Sequence, residues 1–185
     1  MRPSTAKFLL EKMGWTIVGN PPAPVKNCIF LEAPHTSLWD FIIGYLYYRS
    51  GGGKLRIMVK KEMFFFPLGL ILRAMGAFPV DRKNARHTVL SIIREMESSD
   101  KPFHLAMCPE GTRKPIRKWK TGYHVIAKEV RIPVFITYVD WGRKRVGIHS
   151  EVELTDDARK DTDRIQQIYK ELGVKGKHPE NFLTE

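Results

Sequence analysis

The sequence predicts a single-domain α/β sandwich in which a mostly parallel central sheet is flanked by helices. Two observations support this prediction. Strand-like and helix-like segments alternate along the chain, which is typical of βαβ units. The 185 residues are 43% hydrophobic and 28% charged, so the chain has the composition of a globular domain rather than of a disordered one. A domain of this length buries enough surface to fold without disulfides or a structural metal.

Strands and helices follow one another from residue 28 onward. Runs of apolar and β-branched residues predict buried strands at 28–33, 55–59, 77–80, 103–107 and 134–139. Helical spacing and flanking turn residues predict helices at 39–48, 84–97 and 121–130. A late pair of strands is predicted at 145–149 and 151–154, before a last helix that begins after Thr155. The residues after Gly173 are predicted to be irregular.

The predicted domain has three parts. Residues 1–27 form an N-terminal segment, in which residues 4–14 have the pattern of a short amphipathic helix. Residues 28–140 carry the candidate site, and residues 141–185 supply the late strands and helix. The two cysteines, Cys28 and Cys108, are far apart in sequence and flanked by apolar residues, which predicts buried free thiols in a reducing compartment.

The net charge points to an anionic partner. The chain has 31 Lys and Arg against 20 Asp and Glu, which gives +11 at pH 7. Nucleic acid, an anionic membrane and an acidic substrate or carrier protein all satisfy this balance. Charge alone does not choose among them.

The most apolar stretch lies at residues 63–80. Pro67 and Gly69 interrupt it and Arg73 lies within it, so its apolar run at 63–72 is about half the ~20 residues that a spanning helix needs. No transmembrane helix and no classical signal peptide are therefore predicted. The run belongs either to the core or to a membrane-facing surface, because three consecutive phenylalanines at 64–66 do not fit one helix face.

The first candidate site follows the first predicted strand. His35 lies just past the carboxyl end of that strand, where α/β sheets place their ligands. Ser37 or Thr36 is a natural helix N-cap, which would put Asp40 in the first turn and within reach of His35. The pair then forms a general base with an orienting carboxylate. The alternative is structural: Asp40 completes a capping box with Ser37, and the two roles are compatible.

Two further strand ends carry charged residues. Glu110, Gly111 and Arg113 follow the strand at 103–107, and Arg82 follows the strand at 77–80. An arginine at such a position binds phosphate or carboxylate through two N–H groups, and the glycine permits a tight turn. Because carboxyl ends of parallel strands meet at one edge, these residues predict an anion-binding active site.

Four blocks in order carry a resemblance to a known family. They are an H-x4-D block at 35–40, a block ending in arginine at 76–82, a P-E-G-T-R block at 109–113 and a proline-containing strand at 132–135. In this order and spacing the sequence resembles the glycerolipid acyltransferases typified by 1-acyl-sn-glycerol-3-phosphate acyltransferase. The resemblance implies the fold of that family, a glycerol-phosphate acyltransferase-like sandwich.

The resemblance also implies a mechanism. His35 is the base that removes the acceptor's hydroxyl proton, Asp40 orients it, and the alkoxide attacks an acyl thioester without an acyl-enzyme. Four residues hold the acceptor's phosphate and glycerol: Arg82, Glu110, Gly111 and Arg113. Thr112, in the same motif, stabilises the turn. No cofactor or metal is expected. The acyl donor is acyl-CoA or acyl carrier protein, and the acceptor is a lysophospholipid, most simply 1-acyl-glycerol-3-phosphate.

The expected location is cytoplasmic, peripheral on the inner face of an anionic membrane, with no role for nucleic acid. The charge that the acceptor does not use surrounds the site: Lys83, Arg86, Lys114, Arg117, Lys118 and Lys120. It would hold the enzyme on the membrane or dock an acidic carrier. Three alternatives stay open: a different lysolipid or amino-lipid acceptor, a thioesterase with Cys108 as nucleophile, and a basic nucleic-acid-binding module.

Overall fold

A computed structural model describes residues 1–19, 25–81 and 84–183. The strands are β1 Thr16–Val18, β2 Asn27–Glu32, β3 Leu55–Lys60, β4 Ala77–Val80, β5 Phe103–Met107, β6 Val134–Asp140 and β7 Arg145–Val152. The helices are α1 Pro3–Lys12, α2 Leu38–Ser50, α3 Leu68–Ala74, α4 Ala85–Ser98, α5 Gly122–Val130 and α6 Ala158–Leu172. Short 3-10 turns lie at Lys61–Met63 and Pro179–Asn181.

The strands form one sheet in the order β1-β7-β6-β2-β5-β3-β4. Strands β2 to β6 run parallel to their neighbours in this group, and β7 pairs antiparallel with β6. The mostly parallel α/β sandwich predicted from the sequence is confirmed. The carboxyl ends of β2 to β6 therefore share one edge of the sheet, which we call the site edge.

Helices cover both faces of the sheet. Helices α4, α5 and α6 pack on one face around Ile29, Leu31 and Leu105. Helices α2 and α3 pack on the other around Cys28 and Phe30, and α1 packs beside them against α2 and Val139. The side chains of β2 alternate between the two faces, and their near-complete burial matches a central parallel strand.

The structure differs from the sequence prediction in several elements, among them helix α3, which was not predicted, and at one cysteine. Residues 16–18 form an additional edge strand. At three residues it is too short for its hydrophobic pattern to be detected in the sequence. Residues 145–152 form one strand rather than the predicted pair, because β6 pairs with it along its whole length. Cys28 is buried and free as predicted, and burial raises its pKa to about 12, but Cys108 is only half-buried at the site edge.

The apolar run at 63–72 divides between core and surface. Leu72 of α3 packs in the core, whereas Phe65, Phe66, Leu70 and Ile71 are exposed. Neither of the two interpretations describes the whole run, because α3 is a short helix with one buried face. Within the described residues, no helix combines the length and apolar character needed to cross a membrane.

Candidate active site

The H-x4-D block forms a loop and the first turn of α2. Ser37 is the N-cap residue, with extended backbone, and it forms a capping box with Asp40 at the third helical position. This arrangement brings His35 back over the helix start, with its Nδ1 3.9 Å from Oδ2 of Asp40. The local helix cap and the His–Asp pair are thus built from one carboxylate. The His35 side chain is 21% exposed, so a substrate can reach it.

Asp40 is fully buried and accepts three hydrogen bonds. Its Oδ2 accepts from the backbone N–H groups of Thr36 and Ser37, both at 2.7 Å. Its Oδ1 accepts from the indole Nε1–H of Trp141 at 2.7 Å. Burial raises the pKa of this carboxyl, and the bonds from Ser37, Trp141 and Thr36 act in the opposite direction by stabilising its charged form.

Glu110 lies inside the site rather than at its surface. Its side chain is buried, and its Oε2 accepts a 2.8 Å hydrogen bond from the backbone N–H of His35. This bond joins the P-E-G-T-R block to the H-x4-D block directly. Burial, opposed by the bond from His35 and assisted by the charge of Asp40, raises the pKa of Glu110 to about 8.

Glu32, at the end of β2, forms an acidic cluster with Asp40 and Glu110. Its carboxyl lies against α2 at Gly44, where an added Cβ would stand 2.4 Å from Oε2. Burial and the charges of Asp40 and Glu110 raise the pKa of Glu32 to about 8. Burial together with mutual repulsion disfavours ionisation of all the carboxyls at once.

This acidic cluster predicts a pH-dependent stability. Between about 4.5 and about 8, unfolded Glu32 releases a proton that the folded state retains, so the free energy of unfolding falls as pH rises. We expect the melting temperature to fall from about pH 5 to about pH 9 and Glu32→Gln to reduce that fall. Scanning fluorimetry across this range measures it. Glu129→Gln, at an exposed position, is the control, and its melting temperature should change with pH as in the wild type. Equal slopes of melting temperature against pH in the two variants would contradict the prediction.

The loop after β5 carries the other residues of the motif. Gly111 has φ +66°, a left-handed conformation that glycine adopts without strain, and its N–H donates to the carbonyl of Cys108 at 3.0 Å. Thr112 Oγ1 accepts from the N–H of Lys114 at 3.2 Å, a contact within the turn. The Arg113 side chain is exposed at this edge. Arg82, predicted to bind the acceptor's phosphate, lies outside the described residues.

Sequence reasoning missed two residues of the cluster. Trp141 follows β6, the immediate neighbour of β2, and its position just past a predicted strand was the available signal. Glu32 is the last residue of β2 and belongs to no motif, so nothing in the predicted strand at 28–33 singles it out. Among the described residues, no group of three His, Cys, Asp or Glu side chains is placed to hold a metal ion.

The exposed surface next to the site is both basic and apolar. The loop at 113–120 exposes Arg113, Lys114, Arg117, Lys118 and Lys120. Leu38 and Trp39, in the first turn of α2, are exposed beside His35. The loop after β3 exposes Phe65 and Phe66, and α3 adds Leu70 and Ile71. We call these six apolar residues the apolar rim. Exposed apolar side chains in such number are typical of an interaction surface.

Comparison with known proteins gives one family and one fold. A family model described as Acyltransferase matches residues 16–139. No curated protein matches the chain. Among solved structures, the chain is similar to the crystal structure of the 1-acyl-sn-glycerophosphate (LPA) acyltransferase PlsC from Thermotoga maritima. The TM-score is 0.58 and the identity 15%, over 94% of this chain and 79% of that chain. At this identity the likeness concerns the fold.

Proposed function

The chain belongs to the acyltransferase family, and from this premise we propose that it transfers a fatty acyl group from a thioester to the hydroxyl of a lysophospholipid, 1-acyl-glycerol-3-phosphate in the first instance. The observation that carries the proposal is His35 placed over the buried carboxylate of Asp40 at the site edge. The fold shared with an LPA acyltransferase supports the choice of acceptor.

The proposed reaction uses His35 as a general base. Nδ1 faces Asp40, so Nε2 accepts the proton of the acceptor hydroxyl as its oxygen attacks the thioester carbonyl. The carboxylate of Asp40 stabilises the imidazolium that forms. The tetrahedral intermediate then expels the thiolate, which takes the proton from His35, and the new ester is released. No acyl-enzyme is needed, because the acceptor itself is the nucleophile.

The proposed acceptor site divides between two kinds of residue. Arg113 is exposed next to the site and supplies a phosphate contact, together with Arg82. Glu110 is buried beneath the site, and its bond to the backbone N–H of His35 holds the base in place. Gly111 and Thr112 shape the loop that presents Arg113. The basic residues at 113–120 suit an acidic acyl carrier protein as donor, with CoA as the alternative donor.

A product scan tests the proposal. The purified protein is mixed with acyl-CoA or acyl carrier protein and with a panel of lysolipids that includes an amino-lipid, and the products are identified by mass spectrometry. We expect diacyl-glycerol-3-phosphate to form at the highest rate. Acylation of the amino-lipid alone would replace the acceptor, and release of free fatty acid without any ester would favour the thioesterase alternative.

We also propose that the apolar rim rests on an anionic membrane. Leu38 and Trp39 follow β2, and Phe65 and Phe66 follow β3, so this part of the rim lies at the site edge, where membrane contact would bring a lipid acceptor to His35. The basic loop at 113–120 adds attraction to anionic headgroups. A cytoplasmic location on the inner face of the membrane follows from the same proposal.

Vesicle sedimentation measures this contact. Replacing Phe66, which is 83% exposed, by serine should weaken binding to anionic vesicles by about 10- to 100-fold, since burial of one aromatic side chain contributes roughly 1.5–3 kcal/mol. Leu90→Ser is the matched control, because Leu90 is an exposed apolar residue of α4 on the opposite face of the sheet. Equal binding by both variants would contradict the proposal, as would binding that does not change with salt concentration or with the charge of the lipids.

A further inference from the structure

The turn between β6 and β7 is built around a buried aspartate. Asp140 is only 1% exposed, and its Oδ1 accepts from the backbone N–H of Gly142 at 3.0 Å and of Arg143 at 3.3 Å. Lys144 closes the turn in the left-handed conformation, with φ 51°. These contacts fix the backbone on both sides of Trp141, which lies directly after β6.

The C-terminal residues 174–178, which we call the strap, bind to this turn and to the H-x4-D loop. Lys175 donates its N–H to Asp140 Oδ1 at 3.2 Å, and its carbonyl accepts from the N–H of Trp141 at 2.8 Å. The N–H of His178 donates to Oγ1 of Thr36 at 3.2 Å. The strap thus joins the two segments that meet at Asp40.

The strap passes close to Thr36. A Cβ added at Gly176 would stand 2.5 Å from Thr36 Oγ1, so only glycine fits at this point without displacing the loop. Thr36 is itself buried and donates its N–H to Asp40. A displacement of the strap would therefore be transmitted to the carboxylate.

Rings and ammonium groups alternate around Trp141. Lys144 Nζ lies 5.0 Å from the Trp15 ring centroid and 4.7 Å from that of Trp141. Lys177 Nζ lies 4.9 Å from the Trp141 centroid and 5.2 Å from that of Trp39. The rings of Trp15 and Trp141 also pack edge to face, with centroids 4.9 Å apart. These contacts restrict rotation of the Trp141 ring and fix the direction in which its Nε1–H points.

We propose that Trp141, fixed by the turn and the strap, is a positioning residue for the His35–Asp40 pair. Its Nε1–H donates to Oδ1 of Asp40, which holds the plane of the carboxylate so that Oδ2 faces His35. Both Trp141 and the strap lie beyond residues 16–139, the region that the family model matches. This inference rests on the proposed function, because it assigns a role within the same catalytic pair.

Two tryptophan variants provide a matched test. Trp141→Phe removes the indole N–H that Asp40 accepts and keeps a ring between the two lysines. Trp15→Phe removes a buried indole N–H of the same aromatic pair that has no hydrogen-bond partner within the described residues. We expect Trp141→Phe to lower kcat by about 10- to 100-fold with KM within about twofold, because the change misplaces the base without touching substrate. Trp15→Phe keeps an aromatic ring against Trp141 and should keep kcat within about twofold of the wild type.

Gly176→Ala tests the same positioning role through the strap. We expect it to show the same signature as Trp141→Phe, a lower kcat with unchanged KM, because it displaces the loop that carries Thr36. Melting temperatures of all variants are measured, and assays are run well below them. Equal kcat values in Trp141→Phe and Trp15→Phe would overturn the proposal, as would a loss that appears only in KM.

The comparison also separates this inference from the proposed function. The same variants are assayed for slow hydrolysis of the acyl thioester, in which water replaces the lipid hydroxyl as the group that His35 deprotonates. A wild-type protein that hydrolyses the thioester but acylates no lysolipid would contradict the proposed acceptor. The hydrolysis rates of the two variants would then still test the positioning role. A lower rate in Trp141→Phe than in Trp15→Phe would support it, and equal rates would overturn it.

Discussion

Replacing His35 by alanine is expected to lower kcat for acyl transfer by about 10²- to 10⁴-fold, the usual contribution of a general base. The fold should be kept, because the His35 side chain is partly exposed and the bond to Glu110 uses the backbone N–H of His35, which alanine retains. Steady-state rates with a lysophospholipid acceptor measure the effect, and circular dichroism checks the fold.

His87→Ala is the matched control for this experiment. His87 is exposed on α4, on the face of the sheet opposite α2, so its loss should leave the rate unchanged. A His35→Ala enzyme with the wild-type rate would refute the proposed mechanism even if the acyltransferase activity itself were confirmed.

Replacing Asp40 is expected to reduce both activity and stability. In Asp40→Ala three donors lose their acceptor: Thr36 N–H, Ser37 N–H and Trp141 Nε1–H. Each buried unsatisfied donor costs about 1–3 kcal/mol, so the free energy of unfolding should fall by about 3 kcal/mol or more. For a domain of this size that loss lowers the melting temperature by roughly 6 °C or more.

Asp40→Asn separates the two roles of the carboxylate. The amide retains one oxygen acceptor and the shape of the side chain, so the melting temperature should fall less than in Asp40→Ala. It carries no charge to stabilise the His35 imidazolium, so activity should fall by about 10²-fold or more in both variants. Asp163→Ala, which breaks an exposed ion pair with Arg159, is the surface control for the stability measurement. If Asp40→Asn kept full activity, Asp40 would be a helix cap and nothing more.

The sequence by itself determined most of the helices and strands and the order of the chemical blocks. The β2 strand, the α2 helix and its cap depend on neighbours at most a few positions away, so hydrophobic spacing and the residues at 35–40 suffice to predict them. The same local signals placed His35 and the block at 109–113 just past strand ends. They could not decide whether residues 63–72 are buried, because that depends on how short α3 is and which side it presents to the sheet.

Only the tertiary structure decided which strand ends meet. Because β2 lies between β5 and β6, Glu110 reaches the backbone of His35 and Trp141 reaches Asp40, contacts that span 75 and 101 positions. Strand order follows from the packing of whole helices and strands, and no local pattern carries it. For the same reason the acidic cluster of Glu32, Asp40 and Glu110, with its raised pKa values, exists only in the folded chain. The strap likewise carries no motif, and its backbone bonds to Trp141 and Thr36 arise only when the chain ends are brought over the site.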